Sequence, residues 1–445
     1  MGGIAQRVVL KTTEGSVSDV VKRALERSKT AGPSSDASKP ELVPEATPDE
    51  GLNPEPEASS KTKVVSAPEP TVKEVASSPA DILRNLLDMT HVPPGTEPSH
   101  FNSIAQTLMQ SFELCVTSKS STITTYEVLE VEFYWYNQES GHIDPFTHAA
   151  EEQRVSGNWY FHRAPRRVPP NSSSTAPVPS PKTSGFRAGT RKGLDLTFGV
   201  PASSNSVAYG GILLRTLRNT ETRKVTCGPS LLVDEVLRSA GVDSLQALVD
   251  TVWKGDTCAF LGSEPGPSRV FLRPIEGKRG GKVAKMYTSP RIGLELSRIQ
   301  TVGEATATHP RVQYVIRPYR FFTHPELMGT VRPQTFYGLL QAHEAGQLSR
   351  AGIADVSGMK PTQVPTFFGY VEAGRKAGPG AVKDFVGEKG KGVGPVAAKF
   401  LKMAGVVECI LDDSGGERVL KKQKLAPTLT SMFAGGSKSK VPKQE

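Results

Sequence analysis

The clearest alternating pattern in the chain runs from residue 122 to residue 136, TITTYEVLEVEFYWY. Its β-branched and aromatic content predicts a long strand, in which successive side chains point to opposite faces. One face is mostly apolar and is expected to pack on a core; it comprises Glu127, Leu129, Val131, Phe133 and Trp135. The other combines tyrosines with two carboxylates; it comprises Tyr126, Val128, Glu130, Glu132, Tyr134 and Tyr136. These carboxylates are expected to face a surface or a cleft.

Helical and strand patterns surround this segment. SSPADILRNLLDM predicts a helix capped by Ser78 with Pro79 at its first position, and SHFNSIAQTLMQSFELC predicts a second helix. Further strands are predicted at GLDLTFGV, GGILLRTL, SRVFLRPI and RVQYVIRPYRFF, with short helices at SLLVDEVLRSAG and SLQALVDTVW. Short strands mixed with helices, without a regular βαβ repeat, predict an α+β domain over residues 78–328.

The rest of the chain divides by composition. Residues 1–77 are rich in Pro, Ser and Glu, and the insert 164–184 and the tail 412–445 are also of low complexity, so disorder is expected there. Residues 329–411 show helical patterns and are expected to form a small basic module. Residues 329–445 carry 17 Lys and Arg against 10 Asp and Glu, so +7 of the net charge of +9 lies in this part.

Composition narrows the class of protein. A basic balance favours a polyanionic partner, nucleic acid first. The four cysteines form no CxxC pair, which indicates free thiols in a reducing compartment. No apolar run reaches 18 residues and no signal peptide is evident, so neither a membrane nor a secreted protein is expected.

Five segments resemble, in the same order, those of the alkyladenine (3-methyladenine) DNA glycosylase family. LEVEFYW with the downstream DPFTHA is similar to the family's VETEAY and DEAAHS, and GTRKGLDLTFG to GTLYVYIIYG. GGILLRTL, CGPSLLVDEVL and SPRIGLELSR with RPYRFF are similar to VLLRAL, CGPSKLCQAL and SPRIGI with PWRFY. The resemblance covers residues 99–325 and implies a mixed, curved antiparallel sheet packed with helices.

The resemblance also implies roles for individual residues. Glu132 stands at the glutamate that activates a water, and His148 at a histidine that helps to hold this water. Tyr134 and Phe198 stand at aromatic residues that stack on the flipped base, and Asn205 at a residue that screens bases. Arg215 falls on a basic residue that faces the DNA. Such an enzyme extrudes the base from the helix, and π-stacking favours cationic alkylated bases.

Two departures from the family pattern leave open whether the protein excises bases. Pro201 replaces the tyrosine that fills the vacated stack, and RKGLDL replaces an apolar aromatic strand. The alternative to a catalytic Glu132 is that Glu130 and Glu132 lie on a solvated sheet face. A metal site built from His142, Asp144, His148 and His162 is a weaker alternative, because their spacing fits no closed motif.

Two other segments are candidates for binding. RAGTRKG places Arg187, Arg191 and Lys192 beside flexible glycines, which suits contacts with DNA phosphates as well as it suits a solvated loop. TLTSMF in the tail partly resembles a sliding-clamp-binding segment; its apolar residues are Leu429, Met432 and Phe433.

The sequence therefore predicts a nuclear, monomeric, monofunctional DNA glycosylase of base excision repair. It would act on damaged bases in double-stranded DNA without metal or cofactor, and could be recruited by a sliding clamp. The second hypothesis is a non-catalytic nucleic-acid-binding or scaffold protein on the same fold. A third is an enzyme that acts on another nucleotide-like substrate through the additional histidines.

Overall fold

A computed structural model describes residues 78–164, 185–200, 207–260, 266–276, 283–299, 301–329, 332–387 and 396–413. The expectations for residues 1–77, for the insert and for the tail beyond residue 413 lie outside the described residues. The same holds for Pro201, Asn205 and the three apolar residues of the clamp-binding segment.

The described strands form one antiparallel, curved sheet of ten strands. In chain order they are β1 (Phe112–Thr117), β2 (Ile123–Asn137), β3 (His142–Ile143), β4 (Trp159–Phe161), β5 (Leu194–Thr197), β6 (Ala208–Asn219), β7 (Val225–Cys227), β8 (Val270–Pro274), β9 (Tyr287–Ser289) and β10 (Arg320–Phe322). The main path runs β4-β5-β6-β2-β1-β8, while β10 pairs with β2 and β9. With the helices around it, the sheet confirms the predicted α+β class.

Strand β2 is the long central strand that the alternating pattern predicted. An irregularity in its pairing with β6 lies at Leu129 and Glu130, between the partners of Val128 and Val131. The extra residue shifts the alternation, so Val128 and Val131 pack into the same core while Leu129 packs into another. The predicted faces are therefore correct from residue 130 onwards and wrong before it.

Eight α-helices are described: α1 (Pro79–Leu87), α2 (Glu97–Ser111), α3 (Pro229–Ala240), α4 (Pro310–Val315), α5 (Pro333–Glu344), α6 (Arg350–Ser357), α7 (Gln363–Ala377) and α8 (Ala397–Asp413). A short π-helical turn spans Ala247–Val252. Helix α1 begins as predicted, because the Ser78 hydroxyl accepts a hydrogen bond from the Asp81 N–H. None of the described helices is long and apolar enough to cross a membrane.

Two predicted elements differ from the structure. The second helix ends at Ser111, and the following FELC belongs to β1, where its residues pair with β8. RVQYV was predicted as a strand but forms α4, since Pro310 starts a helix whose residues Val312 and Val315 are buried. Tertiary packing thus overrides the β-propensity of a short segment.

Two large apolar cores lie against the described part of the sheet. The first packs α1, α2 and α3 against one face, where Phe101 stacks on Phe133 with 4.9 Å between the ring centroids. The second contains Leu129 and Phe322 from the sheet together with buried residues of α5 to α8. The C-terminal helices thus share a core with the sheet, and Gly338 of α5 lies so close to β9 that a Cβ would stand 2.0 Å from the Thr288 carbonyl oxygen.

Candidate active site

Glu132 is fully buried and accepts hydrogen bonds from three separate segments. Its Oε1 accepts the backbone N–H of Ile292 at 2.7 Å. Its Oε2 accepts the Tyr134 hydroxyl at 2.9 Å and Arg215 Nη1 at 3.3 Å. The carboxylate is therefore fixed by a neighbour on its own strand, by β6 and by the loop after β9.

Glu130 lies beside it in the same buried layer. Its Oε1 accepts both Arg215 Nε at 3.0 Å and Arg320 Nε at 2.6 Å, and its Oε2 accepts the Thr216 hydroxyl. Burial alone would raise the pKa of Glu130, but the two guanidinium groups lower it to about 2. Glu130 is thus held as an anion, and the expectation of a solvated sheet face is wrong for both glutamates, since they are 4% and 0% exposed.

A further ion pair, between Arg291 and Asp144, completes the layer. Arg291 is fully buried and binds Asp144 in a bidentate pair, with Nη1–Oδ2 at 2.5 Å and Nη2–Oδ1 at 3.1 Å. Its guanidinium carbon also lies 4.5 Å from the centroid of the Tyr134 ring. We name this layer the six-charge network; its members are Glu130, Glu132, Asp144, Arg215, Arg291 and Arg320. Three carboxylates face three guanidinium groups, so the network is neutral as a whole.

Tyr134 connects the network to the surface. It is half-buried, whereas Glu130 and Glu132 are buried, and its hydroxyl donates to Glu132 Oε2. Burial, followed by the charge of Glu132, raises the pKa of Tyr134 well above its ordinary value. The phenol therefore stays protonated and remains a donor to Glu132.

The other proposed stacking residue lies elsewhere. Phe198 follows β5 and is fully buried in the first core, where its ring centroid is 5.3 Å from that of Trp135. Trp135 and Tyr134 are neighbours on β2 and point to opposite faces. Phe198 and Tyr134 thus lie on different sides of the sheet, and the structure does not bring them together as two walls of one pocket.

His148 also lies apart from Glu132. Its ring packs edge-on against His162, with 4.3 Å between the centroids, and against Tyr160 at 6.3 Å. Burial, followed by the nearby His162 and Arg187, holds the pKa of His148 well below its ordinary value. None of its described contacts is with Glu132, so the five residues added between these two positions correspond to a displaced histidine.

The residues expected to contact DNA occupy different environments. Arg215 is buried between the two glutamates instead of facing outwards, because two buried carboxylates need a counter-charge. Lys192 is ion-paired with Asp234 of α3. Arg191 is exposed, and Arg187 is half-buried and donates its Nε–H to the Arg163 carbonyl at 2.8 Å. Arg187 and Arg191 remain available to a phosphate.

Three of the four residues of the alternative metal site have other polar partners. His142 hydrogen-bonds the Trp135 carbonyl and the Tyr319 hydroxyl, each at 2.9 Å. Asp144 is bound by Arg291, and His162 by Asp195 at 2.8 Å. Among the residues that the structure describes, no group of three His, Cys, Asp or Glu side chains could hold a metal ion.

Sequence reasoning missed two ion pairs of the network, Arg320 with Glu130 and Arg291 with Asp144. Arginine is usually exposed, so nothing in SPRIG or RPYRFF alone predicts a guanidinium that is at most 1% exposed. The available signal was the pair of carboxylates on a core-forming strand, because buried charges are almost always paired.

The candidate site is thus a network of buried carboxylates and guanidinium groups beside a half-buried tyrosine. It lies on the antiparallel sheet of an α+β domain. No known family profile matches the chain. The chain is 25% identical, over 203 residues, to an uncharacterized protein of Acanthamoeba polyphaga mimivirus; the similar region covers 44% of this chain and 78% of the viral protein.

Proposed function

We propose that this protein is a monofunctional DNA glycosylase that hydrolyses the N-glycosidic bond of a damaged base. The observation that carries the proposal is the set of partners of Glu132. Arg215 comes from GGILLRTL and Ile292 from SPRIGLELSR, two of the segments that resemble the alkyladenine DNA glycosylase family. Tyr134 comes from LEVEFYW itself. Segments far apart in the chain thus meet at the residue with the proposed catalytic role.

The chemistry requires only a fixed carboxylate and a water molecule. Glu132 would accept a proton from water while the water oxygen bonds to the anomeric carbon, and the base would leave with the electrons of the broken C–N bond. Oε1 accepts one hydrogen bond from a described residue, the Ile292 N–H, so it retains a lone pair for water. Tyr134 and Arg215 hold the other oxygen and thereby orient the base.

The proposed setting follows from this reaction. The enzyme would act as a monomer on double-stranded DNA in the nucleus, without metal or cofactor, and the segment with Leu429, Met432 and Phe433 would recruit it to a sliding clamp. Tyr134 would stack on the extruded base, since it is the half-buried aromatic residue next to Glu132.

A second candidate function is binding of nucleic acid without catalysis. It is favoured by the full burial of Glu132 and by the position of Phe198 in the core. In this case the six-charge network would stabilise the sheet, and base excision would be absent.

Single-turnover excision on duplexes with one alkylated, deaminated or etheno base tests the proposal. Glu130→Gln and Glu132→Gln are a matched pair, since each removes one buried carboxylate from the same network. Loss of a general base lowers the rate by about 10²–10⁴-fold. We expect this loss of rate for Glu132→Gln and a smaller loss for Glu130→Gln. Circular dichroism is used to match the amounts of folded protein before the rates are compared.

The two candidate functions give different results. If wild-type protein releases no base from any duplex, the catalytic proposal is refuted. Duplex binding that both substitutions leave unchanged would then support the non-catalytic function. Equal loss of excision in the two variants would instead show that the network acts through the fold and that Glu132 has no separate role.

A further inference from the structure

A second polar cluster lies on the same sheet, centred on two histidines. The His162 Nε2 hydrogen-bonds Asp195 Oδ1 at 2.8 Å, and the ring packs on the backbone of Gly193, where a Cβ would stand 2.4 Å from it. His148 packs edge-on against His162, and Tyr160 lies beside both rings. Gly193 thus permits the close approach that places the two rings together.

Two groups in this cluster have unused donors. Neither ring nitrogen of His148 hydrogen-bonds another residue in the described ranges, although the side chain is half-buried. Arg187 uses its Nε–H for the Arg163 carbonyl, and its two terminal amino groups have no partner among the described residues. Both side chains are half-buried, so these donors are available to an anion that approaches from solvent.

The charges around these donors leave room for an anion. The carboxylate of Asp195 already accepts His162 at one oxygen and Gln153 at the other. Glu152 is ion-paired with Arg163 through its Oε1, while its buried Oε2 has no hydrogen-bond partner among the described residues. The nearby groups that remain are Tyr160 and the cationic Arg187 and Arg191. Burial, and then Arg191, lower the pKa of Arg187, just as burial, His162 and Arg187 lower that of His148. A bound anion would reduce the electrostatic repulsion between Arg187, Arg191 and a protonated His148.

The sheet fixes the position of this cluster relative to Glu132. Asp195 pairs with Leu213 on β6, and Leu213 pairs with Glu132 on β2. Side chains that pair directly across antiparallel strands point to the same face. Asp195, which holds His162, therefore lies on the face of Glu132, two strand spacings or about 10 Å away.

We propose that His148 and Arg187 form a phosphate-binding site beside the ring of His162, on the same face of the sheet as Glu132. Imidazole and guanidinium N–H groups are strong donors to phosphate oxygens, and the RAGTRKG segment, which contains a short 3₁₀ turn at Gly189–Arg191, carries the guanidinium group. The identification of the ligand as a backbone phosphate near the extruded nucleotide rests on the proposed glycosylase function. The binding of a phosphate group does not depend on that function.

Binding of inorganic phosphate tests the site independently of base excision. With ¹³C-labelled histidine, the eight histidines of the chain can be assigned by single substitutions. We expect phosphate to shift the His148 and His162 resonances and to raise the pKa of His148, since the bound anion favours its protonated form. His148→Gln and Arg187→Gln should each weaken phosphate binding about tenfold, by loss of one charge-assisted hydrogen bond. His91→Gln and Arg350→Gln, at exposed positions outside the cluster, should not.

Undamaged duplex DNA identifies the source of the phosphate. A phosphodiester does not titrate near neutrality, so any pH dependence reports on the protein. We expect wild-type protein to bind the duplex more tightly as the pH falls from about 7.5 to 5.5, because His148 gains a proton on binding, and His148→Gln to lose most of this gain. Phosphate binding without such an effect on duplex binding would support the site with a free phosphate as its ligand.

The site is overturned if phosphate leaves His148 and His162 unchanged, or if the control substitutions weaken binding as much as those in the cluster. Excision without phosphate binding would remove this site and leave the proposed function intact. Phosphate binding without excision would support this site and refute the proposed glycosylase function.

Discussion

Arg215 offers the sharpest test of the six-charge network, because it bonds both glutamates. Replacing it by methionine leaves three buried carboxylates facing two guanidinium groups. Glu130 keeps Arg320, but Glu132 loses the one cation that hydrogen-bonds it among the described residues. Removal of one partner from a buried ion pair costs about 3–5 kcal/mol, mostly through the charge that remains uncompensated.

Urea and thermal unfolding measure this cost. We expect Arg215→Met to lower the free energy of unfolding by about 3–5 kcal/mol, which corresponds to a melting temperature lower by on the order of 10 °C. The loss should be smaller at pH 5 than at pH 7, since an unpaired carboxylate can then take up a proton. Adding Glu132→Gln should restore part of the loss, about 1–2 kcal/mol, because the two residues are in contact.

The control is the exposed pair of Arg84 and Asp81, whose side chains are 48% and 53% exposed. Arg84→Met should have a much smaller effect on the free energy of unfolding, as for most surface ion pairs. If Arg215→Met costs no more than this control, the buried charges do not depend on one another and the description of a balanced network is refuted.

The pKa of Glu130 and the helical packing give two further predictions. Because the pKa of Glu130 is lowered from 4.5 to about 2, its contribution, about 3 kcal/mol, is present above pH 4.5 and disappears as the pH falls towards 2. Acid unfolding of Glu130→Gln should lack this step, and an unchanged acid profile would contradict the pairing. Gly338→Ala should cost about 1–3 kcal/mol, since its Cβ would meet β9, while Gly369→Ala on the open surface of α7 should cost nothing, as measured by urea unfolding. Equal effects would contradict the close packing of α5 on the sheet.

The sequence predicted the central strand well because its period-two pattern is long. The positions of Val131, Phe133 and Trp135 in the core, and of Glu132 and Tyr134 on the opposite face, follow from that period alone. The shift at Leu129 does not, since one extra residue in a strand changes no local preference and is determined by pairing with β6.

The candidate site was predictable only in part. Glu132 and Tyr134 could be proposed as neighbours because they are two residues apart in a strand. The position of Phe198 could not be inferred in this way, because the end of β5 packs its ring against Trp135. The burial of Arg320 depends on a strand pairing nearly 200 residues away from Glu130, which no local pattern reports.

That separation has a consequence for the synthesis of the chain. Arg320 follows Glu130 by 190 residues, so a ribosome adding 5–20 residues per second would need about 10–40 s to reach it. During this interval both glutamates would be on a strand that cannot be desolvated without cost. The central strand of the sheet should therefore become buried late, after β10 has left the ribosome, and a stalled nascent chain should keep this strand accessible to solvent and to chaperones.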